Sequence, residues 1–298
     1  MWLFLWDSQP SKIFVGDTPI SKVFLWDTQV RPSVIPPTPW EWDIITWFTY
    51  DNKSHSLYTP SSWQWTMAFS EDWTKLYTAS EDTWNVWVQQ YSLSTPRDIS
   101  TLSYVHNLGI NVNVCNSVYL KEWWSDIFVL EKWNQSTPYK WTMSTPYDIT
   151  TATEHSNAWS LKLECWWLRL SPDGKYLFIN QRVDRTLFRY ELATPRDLTS
   201  TKTLKDSLVL STSRWQWIIF NPQWTQLFWL NRFDGNQNKT IWYCTLSTPR
   251  DLTTAGTINT FSLGSSWDPF WIWMSADGSK LYVSKYGSII YQYSTTTA

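Results

Sequence analysis

Three histidines, three cysteines and a recurring aspartate are the residues of this chain that could carry chemistry. His55, His106 and His155 stand about fifty residues apart. Equally spaced imidazoles in a repeated fold could converge as metal ligands or do acid–base work. Convergence needs innermost strands, and the segments around these three read as the outermost strand of a repeat or the loop after it. They are expected to be isolated surface or packing groups. Cys115, Cys165 and Cys244 occur singly, with no CxxC. That excludes a cysteine-rich zinc site and a disulfide scaffold and suits small buried apolar groups. Asp98, Asp148, Asp197 and Asp251 each follow a proline by two residues. Outer-loop Ca²⁺ ligation would need a D-x-[DN]-x-[DN]-G pattern, which is missing, so they are expected to accept backbone N–H groups in turns. Arg97, Arg196 and Arg250 beside them suit stems packed on an edge, with heads in water or paired to a neighbouring carboxylate. The chain has no G-x-x-x-x-G-K-[ST], no G-x-S-x-G and no H-E-x-x-H. No catalytic set, metal or cofactor is expected.

The elements that place these residues are set by two repeated markers. The first is Thr-Pro-Arg/Tyr-Asp, with prolines Pro96, Pro146, Pro195 and Pro249. The second is a turn between apolar runs: Phe69-Ser70-Glu71-Asp72-Trp73-Thr74-Lys75-Leu76, Leu170-Ser171-Pro172-Asp173-Gly174-Lys175-Tyr176-Leu177, Phe220-Asn221-Pro222-Gln223-Trp224-Thr225-Gln226-Leu227, and Met274-Ser275-Ala276-Asp277-Gly278-Ser279-Lys280-Leu281. A degenerate copy surrounds Trp123 and Trp124. The five turn positions, 73, 124, 174, 224 and 278, recur at about fifty residues. Each unit reads as a short apolar strand, a turn, a second strand, a polar loop, a third strand and an outer fourth strand after the Thr-Pro turn. No sustained 3.6-residue pattern is present, so helices should be scarce.

Four-stranded units of this length repeated radially predict an all-β fold, a β-propeller of five four-stranded blades. A sixth, unseen blade is the alternative count. The last unit stops after its third strand, and Ile44-Ile45-Thr46-Trp47-Phe48-Thr49-Tyr50 can supply its fourth, closing the ring and leaving no open edge. Residues 43–298 are therefore the propeller, residues 34–42 a Pro-rich linker, stiff and extended, and residues 1–33 a short β-repeat segment. In that segment Leu3-Phe4-Leu5-Trp6-Asp7, Ile13-Phe14-Val15-Gly16-Asp17-Thr18 and Val23-Phe24-Leu25-Trp26-Asp27-Thr28 recur at a period of ten. Each copy reads as one short strand followed by a turn, and the block suits attachment or assembly.

Charge and composition narrow the partners. Lys and Arg number 24 and Asp and Glu 26, a formal charge of -2. That leaves no basic excess for a nucleic-acid backbone. No apolar run is long enough for a transmembrane helix, and the first residues lack the pattern of a conventional secretory signal.

Tryptophan and glycine are out of proportion, with 26 Trp and only 8 Gly in 298 residues. The tryptophans fall where glycines belong: Trp73 and Trp224 align with Gly174 and Gly278, and Trp6 and Trp26 with Gly16. Trp63, Trp65, Trp84, Trp133 and Trp267 read as further loop positions. The turn position calls for a positive φ, which glycine adopts freely and tryptophan does not. One reading is a gene in which TGA, one base from the glycine codon GGA, encodes glycine, as in some uncultured bacterial lineages and their phages, but has been translated as tryptophan. The other is a Trp-rich surface for sugars or membranes.

The repeat in residues 43–298 resembles a β-propeller repeat of bacterial and bacteriophage proteins, including tail and virion-associated ones. The pieces that carry the likeness are Ser171-Pro172-Asp173-Gly174-Lys175 and Tyr190-Glu191-Leu192-Ala193-Thr194-Pro195-Arg196-Asp197-Leu198. Val23-Phe24-Leu25-Trp26-Asp27-Thr28-Gln29-Val30-Arg31-Pro32 is similar to short strand repeats near the start of phage structural and bacterial surface proteins. The resemblance implies a noncatalytic extracellular or virion-associated binding or structural protein, such as a phage tail or surface adhesin component. Its partners would be other virion or cell-surface proteins through residues 1–33, and a glycan or protein receptor. A bacterial cell-envelope binding propeller, or a metal-dependent propeller hydrolase or lyase with ligands on the axis, are the alternatives.

Overall fold

A computed structural model divides the chain into two compact units, Met1–Trp42 and Asp43–Ala298. It describes residues 13–15, 18–20, 23–25 and 28–30. From residue 44 onward it describes all but 58–62, 71, 83–84, 111–114, 121–125, 132–137, 156–164, 182–184, 199, 211–214, 233–239, 264–268, 286–288 and 298.

In the first unit β1 (Ile13–Val15) pairs antiparallel with β2 (Thr18–Ile20), and β3 (Val23–Leu25) with β4 (Thr28–Val30). Each ten-residue copy is thus a two-stranded hairpin, not the single strand expected from sequence. Thr18-Pro19-Ile20 and Thr28-Gln29-Val30 form return strands, because the pairs Val15↔Thr18 and Leu25↔Thr28 confine each reversal to two residues. The first copy and the linker at 34–42 lie outside the described residues.

The second unit runs β5 (Ile45–Ser56), β6 (Trp63–Phe69), β7 (Lys75–Asp82), β8 (Asn85–Leu93), β9 (Leu102–Ile110), β10 (Cys115–Leu120), β11 (Asp126–Glu131), β12 (Pro138–Met143), β13 (Ala152–His155) and β14 (Cys165–Leu170). It continues with β15 (Tyr176–Gln181), β16 (Thr186–Leu192), β17 (Lys202–Val209), β18 (Trp215–Phe220), β19 (Gln226–Arg232), β20 (Thr240–Thr245), β21 (Asn259–Ser262), β22 (Pro269–Met274), β23 (Lys280–Lys285) and β24 (Ile289–Thr297). These strands make five four-stranded antiparallel sheets: β6 to β9, β10 to β13, β14 to β17, β18 to β21, and β22-β23-β24-β5. They are blades 1 to 5 of a β-propeller. The first strands contact one another in a closed circuit, β6 with β10, β10 with β14, β14 with β18, β18 with β22 and β22 with β6. Trp63 and Trp65 lie in β6 rather than in a loop, because the apolar run leading into the turn at Trp73 begins earlier than expected; Trp84, Trp133 and Trp267 lie outside the described residues.

Burial follows position in the blade. Second strands are apolar at successive residues, as in Leu177-Phe178-Ile179 and Leu227-Phe228-Trp229-Leu230, all within 1% of complete burial. A middle strand is covered on both faces by neighbouring blades, so it cannot alternate. Fourth strands do alternate, as in β5 and β17, because one side faces water. They also bulge. The register of β8 with β9 skips Val105, that of β16 with β17 skips Lys205, and that of β24 with β5 skips Asp51 and Asn52. A bulge twists the rim strand and turns an extra side chain.

Ring closure rests on β5, which pairs with β24 from Ile45↔Thr297 to Ser56↔Ile289. Residues 43–298 expressed alone should unfold in one cooperative transition, with far-UV circular dichroism and tryptophan fluorescence coinciding. Deletion through Ser56 should abolish that transition, since it exposes the whole edge of β24.

Candidate functional site

The turns between first and second strands and the loops between third and fourth strands lie at the same end of each blade. The turns are built alike. Ser70, Ser171, Asn221 and Ser275 donate backbone N–H to the carbonyls of Lys75, Tyr176, Gln226 and Lys280 at 2.8–3.0 Å. Asp72, Asp173 and Asp277 accept the amides of Thr74, Lys175 and Ser279, each at 3.1 Å. Asn221 does this work in blade 4 through Oδ1, which accepts from Thr225 and Gln226. The turn residues Trp73, Gly174, Trp224 and Gly278 have φ of 59°, 70°, 61° and 72°. The corresponding turn of blade 2 falls on 121–125, outside the described residues.

The Thr-Pro loops are equally uniform. Asp98, Asp148, Asp197 and Asp251 donate N–H to the carbonyls of Thr95, Thr145, Thr194 and Thr248 at 3.1–3.2 Å. Pro96, Pro146, Pro195 and Pro249 preset the first central φ, and Arg97, Tyr147, Arg196 and Arg250 follow with φ of 66–68°. The geometry is a type II turn made without glycine. Asp98, Asp148 and Asp251 then cap a short 3₁₀ turn, accepting the amides of Ser100, Thr150 and Thr253 at 3.0 Å.

These loops join blades. Ile99, the residue after the blade 1 aspartate, donates its N–H to Gln292 Oε1 of blade 5 at 3.2 Å, and Ile149 of blade 2 donates to Gln90 Oε1 of blade 1 at 3.0 Å. Tyr282 Oη donates to the Arg97 carbonyl and Tyr77 Oη to the Tyr147 carbonyl. Blade 3 has Phe178 in place of that tyrosine, and Arg189 serves the same acceptor, donating to the Arg250 carbonyl at 2.8 Å while paired with Asp206. Blade 4 has Tyr243, paired with Phe228, where blades 1 and 5 have the glutamine. There Gln226 holds both backbone groups of Ile45. Arg97 pairs with Asp277 at 2.5 Å and Arg250 with Asp173 at 2.6 Å, each from a loop to the turn of the preceding blade. Lys53 pairs with Asp98 at 2.6 Å.

The carboxyls at this end are tuned by the same contacts. Partial burial opposes ionisation of Asp98, Asp173 and Asp277, but hydroxyl, amide and cation partners outweigh it and hold all three below the usual carboxylate range. Hydrogen bonds from the Thr150 and Thr253 hydroxyls and amides lower Asp148 and Asp251. Asp206 goes the other way, raised by burial and by Asp251 in spite of Arg189.

The remaining candidates do not converge. His55, His106 and His155 sit on β5, β9 and β13, the fourth strands of blades 5, 1 and 2. Burial lowers His55, and His106 is exposed. Cys165 and Cys244 are buried free thiols, Cys244 pushed up to about 11 by burial. The side chains of Cys115 and His155 lie outside the described residues. Among the described residues no group of three or more His, Cys, Asp or Glu could hold a metal, and no helix is long and apolar enough to cross a membrane. Gln90, Gln292, Arg189 and Gln226 were not singled out by sequence. Their only signal is a polar residue just before the third-strand tyrosine in Gln90-Tyr91, Arg189-Tyr190 and Gln292-Tyr293.

No family model and no curated protein matches the chain. The Myceliophteria thermophila Cps50 (Swd1) β-propeller domain is similar to it at 11% identity and a TM-score of 0.52, over 78% of this chain and 84% of that one. A functionally unknown protein from Desulfotomaculum acetoxidans aligns at 14% identity and a TM-score of 0.45, and a protein from Lactobacillus plantarum at 13% and 0.41, each over 74% of this chain. The chain spans 62% and 64% of those two proteins. The likeness to the first shows the fold.

The opposite end of the ring differs. The segments joining second to third strands are 83–84, 132–137, 182–185, 233–239 and 286–288, unequal in length from blade to blade. Exposed large apolar side chains gather on or beside fourth strands: Trp47 and Tyr50 on β5, Tyr104 and Val105 on β9, Leu204 and Val209 on β17.

Gln90→Leu and Gln292→Leu each leave a buried backbone N–H without its acceptor. Each should cost about 1–3 kcal/mol in urea unfolding. Because eight described carboxyls are depressed, Asp206 is raised and His55 is depressed, stability should ease slightly as pH drops below about 6.5 and fall steeply below about 4, as the depressed carboxyls are protonated. Urea midpoints between pH 7 and 2.5 check this.

Proposed function

We propose that this chain is a noncatalytic binding or structural protein of a virion or a bacterial cell surface, and that it recognises a glycan or protein receptor. The observation that carries the reading is the contrast between the two ends of the ring. At one end the described loops share one form, and their amides, carbonyls and arginines make the bonds to the neighbouring blade. At the other, the connecting sequences differ in length, and the longest, Phe233-Asp234-Gly235-Asn236-Gln237-Asn238-Lys239, is rich in neutral polar residues. Recognition surfaces concentrate in loops carried by a rigid scaffold. A face of unequal polar loops suits shape-dependent, hydrogen-bonded binding of a neutral ligand, in keeping with a net charge of -2. The two hairpins of residues 13–30 suit attachment to a further protein of the same particle or surface.

Gradient fractionation of the source culture should place the protein with particles or with cell envelopes, and the two fractions distinguish virion from host surface. Replacing residues 233–239 by Asn-Gly should weaken binding of the labelled full chain to cells at least tenfold with an unchanged melting temperature. Recovery in the cytosolic fraction, with equal cell binding by the loop variant, would overturn the reading.

A further inference from the structure

We infer that the natural protein carries glycine at positions 73 and 224, the codon behind each being read as glycine in its source cell. The turn that holds them is the most uniform device in the fold. Trp73, Gly174, Trp224 and Gly278 donate their N–H to Ser70, Ser171, Asn221 and Ser275 at 2.7–3.0 Å. All four sit in the left-handed region, with φ between 59° and 72°. A position of fixed geometry is thus filled by only two residue types, the smallest and the largest.

Positive φ alone does not decide the matter. Arg97, Tyr147, Arg196 and Arg250 adopt it too, with side chains that reach water or a neighbouring carboxylate. Space decides it. The Thr-Pro loop folds directly over the turn: Arg196 N–H meets the Gly174 carbonyl at 2.8 Å, and Arg250 N–H meets the Trp224 carbonyl at 2.9 Å. A Cβ added to Gly174 would stand 2.0 Å from Arg196 Cγ and 2.9 Å from Arg196 N. A Cβ on Gly278 would stand 3.2 Å from Pro222 Cδ. The turn is built for a residue without a side chain.

The Trp73 indole also lacks a polar partner where it lies. Trp73 and Trp224 are buried, stacked on Phe69 and Phe220 at 4.8 and 4.3 Å. Trp73 Nε1 has no acceptor, and Arg250 Nε above Trp224 is left without a partner. The Nε1 groups of Trp217, Trp229, Trp242 and Trp271 are buried and unpaired as well. A buried tryptophan usually finds an acceptor for its N–H, and Trp73 has none among the described residues. Trp73 and Trp224 are buried, so neither lines a sugar or membrane platform whichever residue is present. That leaves the loop-based reading above independent of the result.

Tandem mass spectrometry of the protein purified from its source, on peptides spanning residues 70–75 and 221–226, reads the two residues directly. Glycine at both positions is expected, and tryptophan at either would overturn the inference. A recombinant Gly174→Trp variant tests the physical half. It should melt well below its parent or fail to fold, whereas an unchanged melting temperature would mean that the turn accepts tryptophan and that the steric argument is wrong.

Discussion

A propeller is a chain of blades whose successive contacts come from sequence neighbours, except one. Here that joint is the ladder of β5 with β24, between strands more than two hundred residues apart. Everything else depends on it, because each blade buries both faces of its middle strands only while both neighbours are present. Its placement inside blade 5, rather than between blades, lets backbone hydrogen bonds close the ring. Asp51 reinforces the joint. It bulges from β5 and takes Lys280 Nζ at 2.7 Å, Gln292 Nε2 at 2.8 Å and Ser294 Oγ at 2.5 Å. Gln292 in turn accepts Ile99 N–H from blade 1. The same side chains thus tie the closing strand to its blade and that blade to the next.

Packing between flat sheets is non-directional and would let blades slide. The Thr-Pro loops remove that freedom. The loops of blades 1 and 2 place a buried Ile amide against the preceding blade, those of blades 1, 2 and 4 a carbonyl, and those of blades 1 and 4 a guanidinium. The exposed ion pairs contribute little alone. The buried amides of Ile99 and Ile149 contribute more, because leaving either unpaired carries a full desolvation cost. The solutions differ chemically while the acceptor stays fixed: tyrosine hydroxyl, tyrosine hydroxyl, arginine. What is repeated is the demand of a buried carbonyl, and each blade meets it with the side chain at hand.

That explains what could be read from sequence. The period of about fifty, the turns and the Thr-Pro-Arg-Asp loops are local, since each is fixed by a few adjacent residues whose φ and hydrogen bonds are their own. They sufficed for five blades and for the shared last blade. Gln90, Gln292 and Gln226 were not legible as joints, because a strand glutamine shows its partner only once two blades are stacked. Arg97 and Arg250 could be assigned a carboxylate but not which one, since Asp277 and Asp173 lie 180 and 77 residues away. The first unit was misread by half a hairpin, because three-residue strands carry too short an alternation to separate a strand from the turn beside it.

The contrast between the two ends of the ring bears on where new function can arise. Loops that carry inter-blade bonds cannot lengthen without detaching an amide from its glutamine or a carbonyl from its tyrosine. The connections between second and third strands already vary in length from 83–84 to 233–239. Loop-closure entropy rises only slowly with length, so insertions there are tolerated thermodynamically. A scaffold of this kind separates the residues that hold it together from those free to change. The recurrent Asp and Arg residues at the uniform end are thus accounted for by turns and by joints between blades.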